Sequence, residues 1–127
     1  VTRPARLLDA EDLLMICERL GLVVRDPGLL ASAAARPGTT VFGEDAYLDL
    51  AAKAASVMHS IVAHHPLVDG NKRLGWLALV LTLDLNGVRF DVPDDEAVDV
   101  TMRVAAGSSG IDDLAAWVRS RLPTPPS

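Results

Sequence analysis

Two long apolar segments separated by a short polar stretch constrain this chain more than anything else in it. Over residues 45–63, Tyr47, Leu48, Leu50, Ala51, Ala54, Ala55, Val57, Met58, Ile61 and Val62 cover much of a helical circumference. Over residues 71–85, Leu74, Trp76, Leu77, Leu79, Val80, Leu81, Leu83 and Leu85 leave almost no polar face. A helix apolar nearly all round belongs in the middle of a bundle. Two such helices joined by a short turn must lie antiparallel, with the turn held at one end of the pair. Pro66 forces the exit from the first, because the residue before a proline avoids the helical region. Asn86-Gly87 closes the second as a C-cap. At about 1.5 Å per residue the second helix is about 22 Å long, too short and too interrupted to span a bilayer.

The remaining pattern is also helical. Asp9 is a plausible N-cap, with Asp12 as capping-box partner. Leu13, Leu14, Ile16, Cys17 and Leu20 then recur at helical spacing up to Gly21. Asp26-Pro27 opens a second helix that runs through the alanines to Pro37. The glycine-bounded segment Thr39, Thr40, Val41, Phe42 is β-prone and too short for a sheet of its own. Past the long pair, Asp94, Asp95 and Glu96 sit where the dipole at a helix start favours acid. Val98, Val100, Met102 and Val104 carry that helix to Gly107. Asp112 opens a last one bearing Leu114, Trp117, Val118 and Leu122. We therefore expect one all-α domain over residues 1–127, a bundle of about six helices with a short flap, a lead-in over residues 1–7 and a tail over residues 123–127.

Composition narrows the function classes. A chain of 127 residues holds one real core. Half of it is hydrophobic and only 4% aromatic, so the core must be mostly Leu, Val and Ala. A net charge of −5 argues against gripping nucleic acid, which wants a basic face. The lone Cys17 excludes an internal disulfide and reads as a small core hydrophobe. Nothing near the start has the apolar stretch of a signal peptide. Together these give the expectation of a soluble cytoplasmic protein with no membrane contact.

The stretch between the long helices is His65-Pro66-Leu67-Val68-Asp69-Gly70-Asn71-Lys72-Arg73. Polar groups at this density cost desolvation unless they meet each other or a ligand. His65 is the candidate general base, since an imidazole can take a proton from a hydroxyl. Asp69 offers the hard oxygen that Mg²⁺ prefers. Gly70 allows close backbone approach at a helix start, where free N–H groups attract anions. Asn71 orients the loop or touches a phosphate. Lys72 and Arg73 neutralise phosphate charge, the arginine as a fork and the lysine as a point charge. These residue types point to phosphate-transfer chemistry. His64 and His59 do not share the spacing that would bring either beside His65, so zinc is not expected.

This loop resembles the signature of the Fic/Doc family, and within it the Doc (death-on-curing) branch. Fic enzymes carry H-P-F-x-[DE]-G-N-G-R-x-x-R; the Doc branch carries H-x-F-x-[DN]-[AG]-N-K-R. The chain reads H-P-L-V-D-G-N-K-R, fitting eight of nine Doc positions, and Trp76 stands where Fic enzymes have the last arginine. Arg25-Asp26-Pro27-Gly28-Leu29-Leu30, Ala35-Arg36-Pro37 and Val41-Phe42-Gly43-Glu44-Asp45 precede the loop in family-like order. The resemblance covers roughly residues 8–121. Leu67 replaces an anchoring phenylalanine, leaving either a small void or local repacking.

The resemblance implies a Fic/Doc-like bundle and an enzyme that uses ATP and Mg²⁺. It implies His65 as general base, with Lys72 and Arg73 as the other catalytic residues. Gly70, Asn71, Lys72 and Arg73 would hold the nucleotide and Asp69 the metal. The flap Thr39, Thr40, Val41, Phe42 would align the target chain as an added strand. In the Doc branch the lysine fills the space that a glycine leaves in Fic enzymes, and ATP presents its γ-phosphate. The implied activity is that of a toxin kinase acting on a Thr or Ser hydroxyl of elongation factor Tu, inhibiting translation. Its partner would be an antitoxin whose helix lies in a groove. Two alternatives stand beside it: a Fic-type adenylyltransferase moving AMP, and a catalytically quiet antitoxin-binding module. The family's self-inhibitory pattern [ST]-x-x-x-E-[GN] is met only in its first spacing, by residues 40–45, so inhibition is expected in trans.

Overall fold

The computed structural model describes residues 4–123. The outer parts of the expected lead-in and tail, residues 1–3 and 124–127, lie outside the described residues. Six helices follow in order: α1 (Ala10–Leu20), α2 (Pro27–Ala35), α3 (Leu50–His64), α4 (Asn71–Leu85), α5 (Asp94–Ala105) and α6 (Ile111–Arg121). A 3-10 turn (Arg36–Gly38) and two short strands, β1 (Thr40–Val41) and β2 (Glu44–Asp45), stand between α2 and α3. The all-α expectation holds, and no described helix is long and apolar enough to cross a membrane.

The antiparallel α3–α4 pair is the central layer. One face of the pair meets α1 and α2 through Leu13, Cys17, Leu30, Val57, Ile61, Leu74 and Ala78. The other meets α5 and α6 through Met58, Val62, Leu79, Leu83, Val100, Val104, Leu114 and Val118. Both helices can be apolar all round because each has neighbours on both sides. Gly75 sets their spacing: a Cβ there would lie 2.5 Å from Val62 Cγ2 and 3.3 Å from the Met58 carbonyl. On the α5–α6 side, Trp76, Phe90 and Trp117 form an aromatic triad with ring centroids 5.7–6.2 Å apart. Trp76, at the place of the last Fic arginine, therefore packs against the core cluster and brings no cation there.

The caps follow the sequence. Asp9 accepts from the Asp12 amide at 2.8 Å while Asp12 accepts from the Asp9 amide, completing the capping box. Gly21 ends α1 in the left-handed region at φ 69°. Asp26 caps α2 through the Leu29 amide at 3.1 Å. In the described part of the lead-in, the Arg6 amide and carbonyl both bond the Asn86 side chain at 2.8 Å.

Two expectations are corrected. The first long helix starts at Leu50, not at residue 45, because Asp49 is its N-cap and accepts from the Ala52 amide at 2.9 Å. Tyr47 and Leu48 therefore lie before the helix, with Leu48 82% exposed. The buried Lys53 holds that connection in place by donating to the Tyr47 carbonyl and to the Asp45 carboxylate at 3.1 Å. The flap segment is not too short to pair: Thr40 faces Asp45 and Val41 faces Glu44 in an antiparallel hairpin. Glycine at 43 with φ 81° turns it, and Phe42 shares the left-handed region at φ 52°. Residues 40–45 are thus a hairpin and not the self-inhibitory helix whose spacing they partly match.

Candidate active site

The loop between α3 and α4 is braced from three directions. His65 is the C-cap of α3, in the left-handed region at φ 55° and ψ 59°, with its amide on the Ile61 carbonyl at 3.2 Å. The segment from Leu22 to Asp26 runs alongside the loop as a splint. The Val68 amide donates to the Val23 carbonyl at 2.9 Å, and the Arg25 and Asp26 amides donate to the Pro66 carbonyl at 2.8 and 3.0 Å. Val24 and Leu67 form a bridge of antiparallel type. Below, Leu67 is only 1% exposed and anchors the loop in the α1–α2 side of the core.

From the helix side, Asn71 closes the loop on itself. Its amide oxygen accepts from the Leu67 amide at 2.9 Å and its amide nitrogen donates to the Leu67 carbonyl at 3.1 Å. Of the two roles expected for Asn71, the structure displays the orienting one. Gly70 stands at φ 88°, where a Cβ would lie 2.7 Å from Leu22 Cδ2. A side chain at this position meets both backbone strain and a neighbour. Asp69, itself exposed, accepts the Gly70 amide on Oδ1 at 2.9 Å.

Gly70 is the N-cap of α4 and brings no side-chain acceptor. The first intrahelical bond of α4 runs from the Leu74 amide to the Gly70 carbonyl at 2.9 Å. The amides of Asn71, Lys72 and Arg73 therefore form an open N-terminal turn, which attracts an anion. Lys72 and Arg73 are exposed, and among the described residues neither enters an ion pair. Against an overall charge of −5, the cations and helix terminus make this end locally positive.

His65, Asp69, Gly70, Asn71, Lys72 and Arg73 line one cleft of about 380 Å³, with Val62, Val68 and Ala105 as its apolar walls. The structure thus brings together every loop residue expected to carry chemistry. An apolar cleft of about 230 Å³ between α4 and α5 shares Lys72 and Arg73 and is walled by Trp76, Ala97, Val98, Thr101 and Met102. The flap residues Thr39, Thr40, Val41 and Phe42 do not line the loop's cleft. The hairpin is tied to α3 at Lys53, about 18 Å of helix from His65 at 1.5 Å per residue. Phe42 projects fully exposed from its tip.

Among the described residues no cluster of His, Cys, Asp and Glu is arranged to hold a metal by itself. His59 lies off the site. Burial, then the nearby Arg36 and His64 charges, lowers its pKa from the ordinary 6.5. Its Nδ1 is buried with no partner among the described residues. Burial also raises the Cys17 thiol above its usual range, as suits an inert core cysteine.

Sequence reasoning missed Arg25. Its guanidinium Nε donates to the His65 carbonyl at 3.0 Å, and Nη2 donates to the same carbonyl and reaches the His64 carbonyl at 3.4 Å. The only signal available was its place in the family-like run before the loop, which carries no hint of a partner 40 residues away.

The model of the Fic/DOC family matches residues 5–83, which include the splint, the flap, α3, the loop and most of α4. The chain is also similar to Toxin Doc of Mycolicibacterium smegmatis, with 46% identity over 116 residues that cover 86% of this chain and 88% of the relative.

Proposed function

Because this chain belongs to the Fic/Doc family, we propose that it is the toxin of a toxin–antitoxin pair and a protein kinase of the Doc type. In this reading it moves the γ-phosphate of ATP to a Thr or Ser hydroxyl of a translation factor, elongation factor Tu by resemblance, in the cytoplasm. The similarity to a protein named Toxin Doc supports the toxin reading. An antitoxin is the partner that such a toxin requires.

The observation that carries the chemical reading is the single cleft lined by His65, Asp69 and the open first turn of α4. His65 takes the proton from the attacking hydroxyl as that oxygen bonds to the γ-phosphorus. The bond from the γ-phosphorus to the bridging oxygen breaks, and ADP leaves with that oxygen. The amides of residues 71–73 and the side chains of Lys72 and Arg73 hold the phosphates and offset their charge. Gly70, whose place against Leu22 leaves no room for a Cβ, lets the backbone turn into the open start of α4. Asp69 fits a Mg²⁺ site, its free oxygen being a hard donor, and one or two carboxylates with substrate phosphates are the usual Mg²⁺ set. When bound there, Mg²⁺ would supply charge neutralisation on the phosphates. Asn71 acts through the backbone, keeping Leu67 and the loop in place. By resemblance, the exposed β1 edge would receive a target chain as an added strand, outside the residues that line the His65 cleft.

By resemblance to the Doc pattern, Lys72 favours γ-phosphoryl over AMP transfer, because Fic enzymes have a glycine at this place and the lysine adds both bulk and charge. The test is to incubate the protein and elongation factor Tu with γ-labelled and, separately, α-labelled ATP. Label on the factor from the γ position, absent in His65→Ala, is the expected result. Label from the α position alone would replace the kinase with an adenylyltransferase. Growth arrest by His65→Ala equal to that of the parent would replace both with a binding module.

A further inference from the structure

We infer that Arg25 is a positioning residue for His65, acting through the backbone of the histidine it fixes. The inference rests on the reading of His65 as the base. A non-glycine residue in the left-handed region is uncommon and persists only where its surroundings over-determine it. His65 has such a conformation at φ 55°, and Pro66 after it favours the extended one instead. A change from one to the other would swing the imidazole away from the cleft that it lines.

Arg25 is what opposes that change. Nε and Nη2 both donate to the His65 carbonyl, Nη2 also reaches the His64 carbonyl, and the Arg25 amide holds the next carbonyl, that of Pro66, at 2.8 Å. Three successive carbonyls, on both sides of the base, thus end on one residue. The first two stand at the C-terminus of α3, where a fixed cation also suits the helix dipole. Arg25 is itself fixed, because Asp26 beside it is the N-cap of α2. The rigid start of α2 is thereby connected to the backbone that carries the ring of His65. A lysine could place a charge there but not the fork.

The test compares wild type, Arg25→Ala and Arg25→Lys as full-length protein. Backbone chemical shifts of residues 64–66 report the conformation at His65 without any need for activity. Steady-state transfer from ATP gives kcat and KM separately. Arg25→Ala is expected to move the His65 shifts from left-handed toward extended values with the rest of the spectrum intact. Its kcat should fall on the order of 10²-fold, the effect of a misplacement of about 1 Å, with KM for ATP unchanged. Arg25→Lys should recover only part of either. Wild-type shifts at His65 in Arg25→Ala would overturn the inference, as would a raised KM with unchanged kcat, which would make Arg25 a nucleotide contact. Should wild type transfer nothing, the kinase reading fails, and the shifts alone still decide whether Arg25 holds His65.

Discussion

Replacing Gly75 by alanine separates helix propensity from helix packing, because the two act in opposite directions. Mid-helix, alanine is favoured over glycine by about 1 kcal/mol. The structure opposes this: the new Cβ would stand 2.5 Å from Val62 Cγ2, where carbon atoms prefer about 3.5–4.0 Å. About 1 Å must be recovered. Val62 is β-branched on a helix and has one strongly preferred rotamer, so its methyl cannot swing aside cheaply. The Met58 carbonyl at 3.3 Å closes the other direction. Overpacking of this kind costs about 1–3 kcal/mol. Taking about 2 against the gain of about 1, Gly75→Ala should be destabilised by about 1 kcal/mol, a fall in Tm of about 4 °C. The assay is urea unfolding of wild type, Gly75→Ala, Val62→Ala and the double variant. With Val62 shortened, the added methyl has room, and alanine at 75 should become stabilising by about 1 kcal/mol, a coupling of about 2 kcal/mol. A single variant more stable than wild type would refute the close approach of α3 and α4 on which the rigidity of the loop depends.

Four further outcomes follow from the same structure. Asp49 both caps α3 and binds Arg119 at 2.6 and 3.1 Å; Asp49→Asn keeps the cap and should lose less than about 1 kcal/mol, whereas Asp49→Ala loses both, about 1–2 kcal/mol, read by thermal unfolding. The Arg119 hydrogen bond holds the Asp49 carboxyl below its ordinary 3.8, so its contribution is complete above that value and disappears as pH falls through the lower folded one, a slope that Asp49→Asn should abolish. His59, on a pocket lined by Tyr47, Asp112 and Asp113, is held neutral below its ordinary 6.5; the unfolded chain takes its proton first, so stability should fall as pH drops from about 6.5, and urea midpoints of His59→Gln should lose that dependence. Leu67→Phe, which restores the family's residue, adds volume at a position only 1% exposed and should destabilise by about 1–3 kcal/mol; a neutral or stabilising result would show that a void remained.

The helices and the loop were legible because their causes are local. The capping box at Asp9, the proline start of α2, the bounds of α4 and the acid-rich start of α5 each depend on residues within a turn of one another. The start of α3 was not legible, since Tyr47 and Leu48 continue the apolar pattern while the Asp49 cap and the reach of Lys53 to Asp45 decide where the helix begins. Gly75 went unnoticed because a glycine inside an apolar helix looks like a mere cost until the partner helix is placed against it.

The residues of the loop determined, before any coordinates, which chemical groups stand at one end of the central pair, because a nine-residue run carries them together and burial of both flanks pins it. Only the tertiary structure decided how those groups are held. The strand-like splint at Val23 and Val24, the fork of Arg25 on the backbone of His65, and the close approach of Gly70 to Leu22 all join positions at least 40 residues apart. No local propensity encodes such pairs. They exist because packing α1 and α2 against α3 and α4 brings one polar backbone beside another, and each must then find a partner.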